Sequence, residues 1–135
     1  MKSLILAGFL LLTTQATPPA PKNNPNGTWE STSGTKYALR LSGKDLHVEM
    51  VEGSNTRYLK YEVELKNEEE ANTYSGAGYF VAKLSNGKEC KYSTEWKLVV
   101  VTPDRIFGST TNIVPDPGTC GVKEKNQIQL DLKKK

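Results

Sequence analysis

The sequence predicts an all-β fold, an eight-stranded antiparallel up-and-down barrel, and three observations lead there. Residues 36–51 read as a two-strand hairpin around Gly43-Lys44. Later stretches alternate apolar and polar residues with a period of two, separated by short links rich in Gly, Asn, Asp and Pro. No stretch of the body carries a helical period. Consecutive antiparallel strands close most simply into a barrel, which leaves no exposed edge. A two-sheet β-sandwich is the alternative.

The N-terminus comes before this body. Lys2 precedes an uncharged apolar run at residues 4–12, and small residues Thr14 and Ala16 follow. That is the pattern of a cleaved export signal over residues 1–16. The run is too short to span a bilayer, which takes about 20 apolar residues. The predicted location is therefore secreted or periplasmic, with no transmembrane segment. Residues 17–26 hold four prolines and read as a tether. One barrel domain, residues 27–132, follows, and Lys133, Lys134 and Lys135 read as a solvated basic tail. The formal charge of +3 falls when Lys2 is cleaved, and the three terminal lysines account for the rest. The body is about neutral, so a nucleic-acid partner, which needs a basic face, is not predicted.

Trp29 opens the first strand, and Gly34 turns the chain into the hairpin. A two-residue turn at Gly43-Lys44 sets Leu41 opposite Leu46, Leu39 opposite Val48 and Tyr37 opposite Met50, all on one face. After a turn at residues 52–55, Leu59, Tyr61, Val63 and Leu65 alternate with Lys60, Glu62 and Glu64. Residues 67–70 form an acidic loop; a bare run of Glu68, Glu69 and Glu70 lacks the converging geometry of a calcium site. Residues 73–84 and 89–101 flank Asn86-Gly87, another hairpin signal. A two-residue turn there pairs Val81 with Tyr92, Tyr79 with Thr94 and Ala77 with Trp96, with Gly76 and Gly78 leaving space for the indole. Phe80 then falls on the wrong face. Residues 106–113 and the alternation of Ile128, Leu130 and Leu132 supply the last two strands.

Cys90 and Cys120 are the two cysteines of an exported chain and read as a disulfide. With a turn between Pro103 and Asp104, Cys90 lies opposite residue 117, close to Cys120. The pair has neither CxxC spacing nor histidines, so a metal or redox site is not predicted. His47 falls on the polar face of the first hairpin and reads as a surface residue. There is no nucleophile elbow, and Glu49 and Glu95 give no sign of converging as a glycosidase pair. No catalytic residues or cofactor are predicted, and an enzyme is not expected.

Gly27-Thr28-Trp29 at the head of an eight-strand pattern resembles the calycins, the group of lipocalins, fatty-acid-binding proteins and avidins. Gly27, Trp29, Ser31, Gly34 and Thr35 also keep the spacing of the first strand of avidins, and Thr94-Glu95-Trp96-Lys97-Leu98 resembles a later one. The resemblance implies a barrel with Trp29 closing one end. Lipocalins pair that Trp with an arginine near the last strand, where this chain has none. Ser31 and Thr35 stand where avidins place biotin contacts, so biotin binding is not implied.

These readings converge on a lipocalin-like binder of a small, mainly apolar ligand. Tyr37, Tyr61, Tyr92 and Trp96 are the inward candidates, each an apolar ring with a polar tip. The alternative is an envelope or extracellular interaction protein with a filled barrel that works through its loops. Oligomeric state is not legible in the sequence.

Overall fold

The computed structural model of the protein describes residues 23–135; the predicted export signal, residues 1–16, and residues 17–22 of the predicted tether lie outside the described residues. The strands are β1 (Gly27–Ser31), β2 (Lys36–Ser42), β3 (Asp45–Met50), β4 (Tyr58–Asn67), β5 (Thr73–Lys83), β6 (Glu89–Thr102), β7 (Arg105–Pro115) and β8 (Val122–Lys134). Each pairs antiparallel with the next, and β8 returns to β1, so the sheet is a closed barrel rather than a sandwich. The described residues contain no helix, and so none long and apolar enough to cross a membrane.

The β2–β3 hairpin has the predicted register: Tyr37 faces Met50, Leu39 faces Val48 and Leu41 faces Leu46. All but the half-buried Leu41 are buried.

The β5–β6 hairpin departs from the prediction by one residue. Phe80 pairs with Tyr92, Gly78 with Thr94 and Gly76 with Trp96. The cause is the turn. Leu84 N–H donates to Lys88 O at 2.8 Å and Gly87 N–H to Leu84 O at 2.8 Å, closing a three-residue loop with Gly87 at φ 87°. A loop of that length ends in a left-handed residue, which glycine adopts without strain. The shift brings Phe80 inside and sends Tyr79 outside, where the Lys91 ammonium sits 4.2 Å from its ring centroid.

β4 holds a second departure. A bulge between Tyr58 and Lys60 reverses the alternation at its start. Leu59, expected inside, is 47 % exposed, while Tyr58 packs against the core. Further along, β4 and β5 approach closely. A Cβ at Gly78 would lie 2.0 Å from Glu62 O, so the wall bends there only because no side chain intervenes. The β6–β7 register also shifts by one, between Val100 and Thr102, and Trp96 pairs with Thr110. This moves the register projected from Cys90 by one residue, and the disulfide forms all the same.

One end of the barrel is sealed. Asn23 N–H donates to Asn72 Oδ1 at 3.0 Å and Asn23 Nδ2 to Val100 O at 3.1 Å, and Pro25 is buried. These last residues of the predicted tether thus lie across the barrel end as a strap. The Trp29 indole donates to Pro25 O at 2.8 Å and is fully buried. Lys134, expected in a solvated tail, ends β8 instead. Its ammonium lies 5.4 Å from the Trp29 ring centroid and donates to Asn26 O at 2.7 Å. Leu46, Leu65, Leu98, Val100, Ile106 and Leu132 fill the interior, each about 1 % exposed or less. Each such side chain contributes about 1.5–3 kcal/mol by leaving water.

Candidate functional site

Six rings fill the other half of the barrel in an unbroken series. Trp96 meets Tyr37 edge-on at 5.1 Å, and Tyr37 meets Tyr61 at 5.8 Å. Tyr61 stacks on Phe80 at 5.1 Å and meets Tyr58 edge-on at 5.2 Å. Phe80 in turn contacts Tyr92 at 5.6 Å. Edge-on and stacked arrangements are those that the ring quadrupole favours. All four predicted ligand residues, Tyr37, Tyr61, Tyr92 and Trp96, are therefore inside and in one cluster.

The polar tips divide that cluster. The Trp96 indole N–H donates to the Tyr61 hydroxyl at 3.0 Å. That hydroxyl lies 3.4 Å from Thr94 Oγ1 and 3.4 Å from Thr110 Oγ1, which are 3.1 Å from each other. Trp96, Tyr61, Thr94 and Thr110 are all buried, and together they make a self-satisfied polar knot in a low-dielectric interior. Trp96 is 2 % exposed and part of packed core. The Tyr92 hydroxyl is buried without a hydrogen-bond partner among the described residues. Burial, and then the Asp116 charge, raises its pKa above the usual phenol range.

Tyr37 differs. It is 5 % exposed, and no described residue hydrogen-bonds its hydroxyl. Burial first, then the neighbouring Tyr61 and Tyr58, hold its pKa far above the usual range, so it is a neutral donor. Its ring lines a cup of about 340 Å³ together with Tyr58 and Tyr61. Ser31, Ser33, Thr35, Asn55, Arg57, Thr110, Asn112 and Leu130 complete the wall. Neither Tyr92 nor Trp96 belongs to that lining, so the structure brings Tyr37 and Tyr61 to the cup and leaves the other two in the packed interior.

Strand lengths create the cup. β1 is five residues long and β8 thirteen. They pair only at Trp29–Lys134, Glu30–Lys133 and Ser31–Leu132. Beyond Ser31 the chain turns back toward β2, and β8 continues without β1 beside it. The cup occupies this gap, with the β1–β2 turn on one side and residues 128–131 of β8 on the other. Arg105 clasps Asp131 with bonds of 3.0–3.3 Å and fixes β8 to β7 just below. Above, Cys90 and Cys120 form the predicted disulfide, with Cα atoms 5.3 Å apart, and tie the β7–β8 loop to β6. Sequence reasoning missed Tyr58 and Arg57. The signal that was available is the pair Arg57-Tyr58 itself, whose guanidinium lies 5.7 Å from the ring centroid.

Two other places merit comparison with the cup. On the outer face, His47 pairs across the strands with Glu64, and Glu49 with Glu62. The His47 ring contacts Glu64 through Nδ1 and Glu49 through Nε2, the latter at 3.1 Å. Burial opposes protonation of the imidazole, but the Glu64 and Glu49 carboxylates outweigh it, and the His47 pKa lies above its usual range. His47, Glu49 and Glu62 each offer one ligand atom within 4.8 Å of the others, so a divalent cation has the right donors there. The ring itself bridges the two carboxylates. A saddle of about 550 Å³ also crosses the outside of β5–β8, over Ser75, Ala77, Glu95, Lys97, Ser109 and Gln127. Both are features of the outer wall. Compared with models of known protein families, with curated proteins and with solved structures, the chain matches none.

Proposed function

We propose that this is an exported, non-enzymatic binding protein of calycin-like build, acting outside the cell or in the periplasm. Its ligand sits in the cup at the barrel mouth, above the aromatic cluster. The ligand is mainly apolar, with at least one hydrogen-bonding group. The observation that carries the reading is Tyr37, an inward tyrosine whose ring lines a 340 Å³ cup and whose hydroxyl has no partner among the described residues. A neutral hydroxyl at the wall of the cup offers a donor and an acceptor, and a ligand that pairs with it gains about 1 kcal/mol. The volume falls at the lower end of the range for small-molecule sites. Tyr58, Tyr61 and Leu130 supply apolar surface, while Arg57 and the hydroxyls of Ser31, Ser33 and Thr35 supply orientation.

The disulfide supports export, because such bonds persist in oxidising compartments. The Lys134–Trp29 contact supports the calycin comparison, with lysine where lipocalins use arginine. The packed interior favours binding at the mouth over binding deep in the barrel, and so takes up the filled-barrel reading in part.

The test is a screen of fatty acids, pigments and aromatic compounds by tryptophan fluorescence, since Trp96 touches Tyr37. Hits are expected to bind about fivefold more weakly to Tyr37→Phe, which keeps the ring and removes the hydroxyl. Its stability should be unchanged or slightly raised. Hits that ignore this substitution would contradict the reading.

A further inference from the structure

We propose that the mouth takes an extended peptide, added as a strand to the edge of β8 that no described strand covers, with one apolar or aromatic side chain set among Tyr37, Tyr58 and Tyr61. This rests on the reading of the mouth as the binding site and names its ligand class. Main-chain direction is the starting point. Lys134 N–H donates to Asp104 O, toward β7, whereas Lys135 N–H donates to Thr28 O, toward β1. Successive residues of a strand alternate in this way. The β7–β8 register runs unbroken from Lys133 to Glu124. The N–H and C=O groups of Lys125, Gln127, Gln129 and Asp131 therefore point away from β7, to the side where β1 has ended. Such an edge is a template for another strand. A lipid or pigment has nothing to set against a row of alternating donors and acceptors, and a peptide backbone does.

The edge and the cup are continuous, because residues 128–131 wall the cup. A strand laid along them directs every second side chain inward, over the three tyrosines, as Leu130 itself is directed. Charge narrows the class. Asp131 is held by Arg105, Arg57 lines the cup, and Lys123 and Lys125 flank Glu124 along the exposed run of β8. An acidic residue beside the apolar anchor complements them. A second copy of β8 is a poor occupant. The two-fold register that sets Lys123 beside Asp131 also sets Glu124 against the inward, apolar Leu130.

The probe is a phage-displayed library of randomised short peptides, panned on the full exported protein with its disulfide intact. Enrichment of a fixed aromatic or branched apolar position flanked by Asp or Glu is expected. Synthetic copies methylated at alternate backbone nitrogens should bind about tenfold or more weakly, because the ladder loses its donors. Gln129→Pro should do the same, since it removes an edge N–H that β7 does not use. No enriched motif, or peptides indifferent to methylation, overturns the inference whatever the fate of the proline variant. If apolar compounds still bind with sensitivity to Tyr37→Phe, the mouth remains a binding site and the peptide class alone is lost. If they fail too, both readings fall.

Discussion

The two ends of this barrel solve the problem of closure in opposite ways. At the sealed end, the chain before β1 crosses the opening. Asn23 hydrogen-bonds to Asn72 and Val100, and the Trp29 ring is buried under Pro25 and the Lys134 ammonium. At the mouth, β1 stops after five residues while β8 runs on, and the gap is walled by hydroxyls, tyrosines and one strand edge left bare among the described residues. Closure of the sealed end comes from hydrogen bonds of the strap to Asn72 and Val100 and from the packing of Trp29. The mouth comes from a mismatch of strand lengths, and it is where the Tyr37 hydroxyl has no partner among the described residues. On the proposed function, the uncovered edge and the Tyr37 hydroxyl mark the end that binds.

The largest expected effect comes from the floor of the mouth. Trp96→Ala removes a buried ring and the donor to Tyr61, and should destabilise by about 3–5 kcal/mol in denaturant titration. A loss under about 1 kcal/mol would mean that the interior is slack, and the contrast between a solid floor and an open mouth would fail. Next is the disulfide at the rim. Cys120→Ser opens a link between residues 30 apart and should cost about 3–4 kcal/mol on the chain-entropy account. Amide exchange should accelerate around the β7–β8 loop and remain slow in Leu46 and Leu98. At the sealed end, Lys134→Met should cost about 1 kcal/mol, read as a lower melting temperature, with ligand affinity unchanged. A change in affinity would couple the two ends, which the account treats as separate.

The smallest effect lies on the outer wall, away from both ends. The folded pKa of His47 is raised, so its stabilising contribution is complete below the unfolded value of about 6.5 and disappears as pH rises through the folded value. His47→Gln should cost less than about 1 kcal/mol in mildly acid solution and nothing at alkaline pH. An NMR titration midpoint at or below the ordinary imidazole value would contradict the bridging by Glu64 and Glu49.

The sequence made the barrel and the β2–β3 hairpin legible for the same reason. In residues 36–51 the turn and the alternation specify one register, each checking the other. The β5–β6 hairpin lacked that check. Asn86-Gly87 suits a two- or a three-residue loop, and Gly76, Ala77 and Gly78 contribute no apolar alternation to choose between them. Phe80 was the one residue out of place, and it pointed to the true register. Tyr58 was hidden by a bulge that makes Leu59 look buried. Residues 122–127 of β8 are exposed on both faces, so they carry no period-two signal. The mouth was thus invisible, because it depends on where β1 ends relative to a strand whose polar half does not read as one.

The claim that binding belongs to the mouth is tested most directly by mapping amide chemical shifts of the labelled protein during titration with a hit from the compound screen. The account predicts shifts in residues 31–37, 55–61, 110–112 and 128–131, with Leu46, Leu98 and Val100 unmoved. Shifts centred on those three, or on Ser75, Ala77 and Lys97 of the outer saddle, would contradict it.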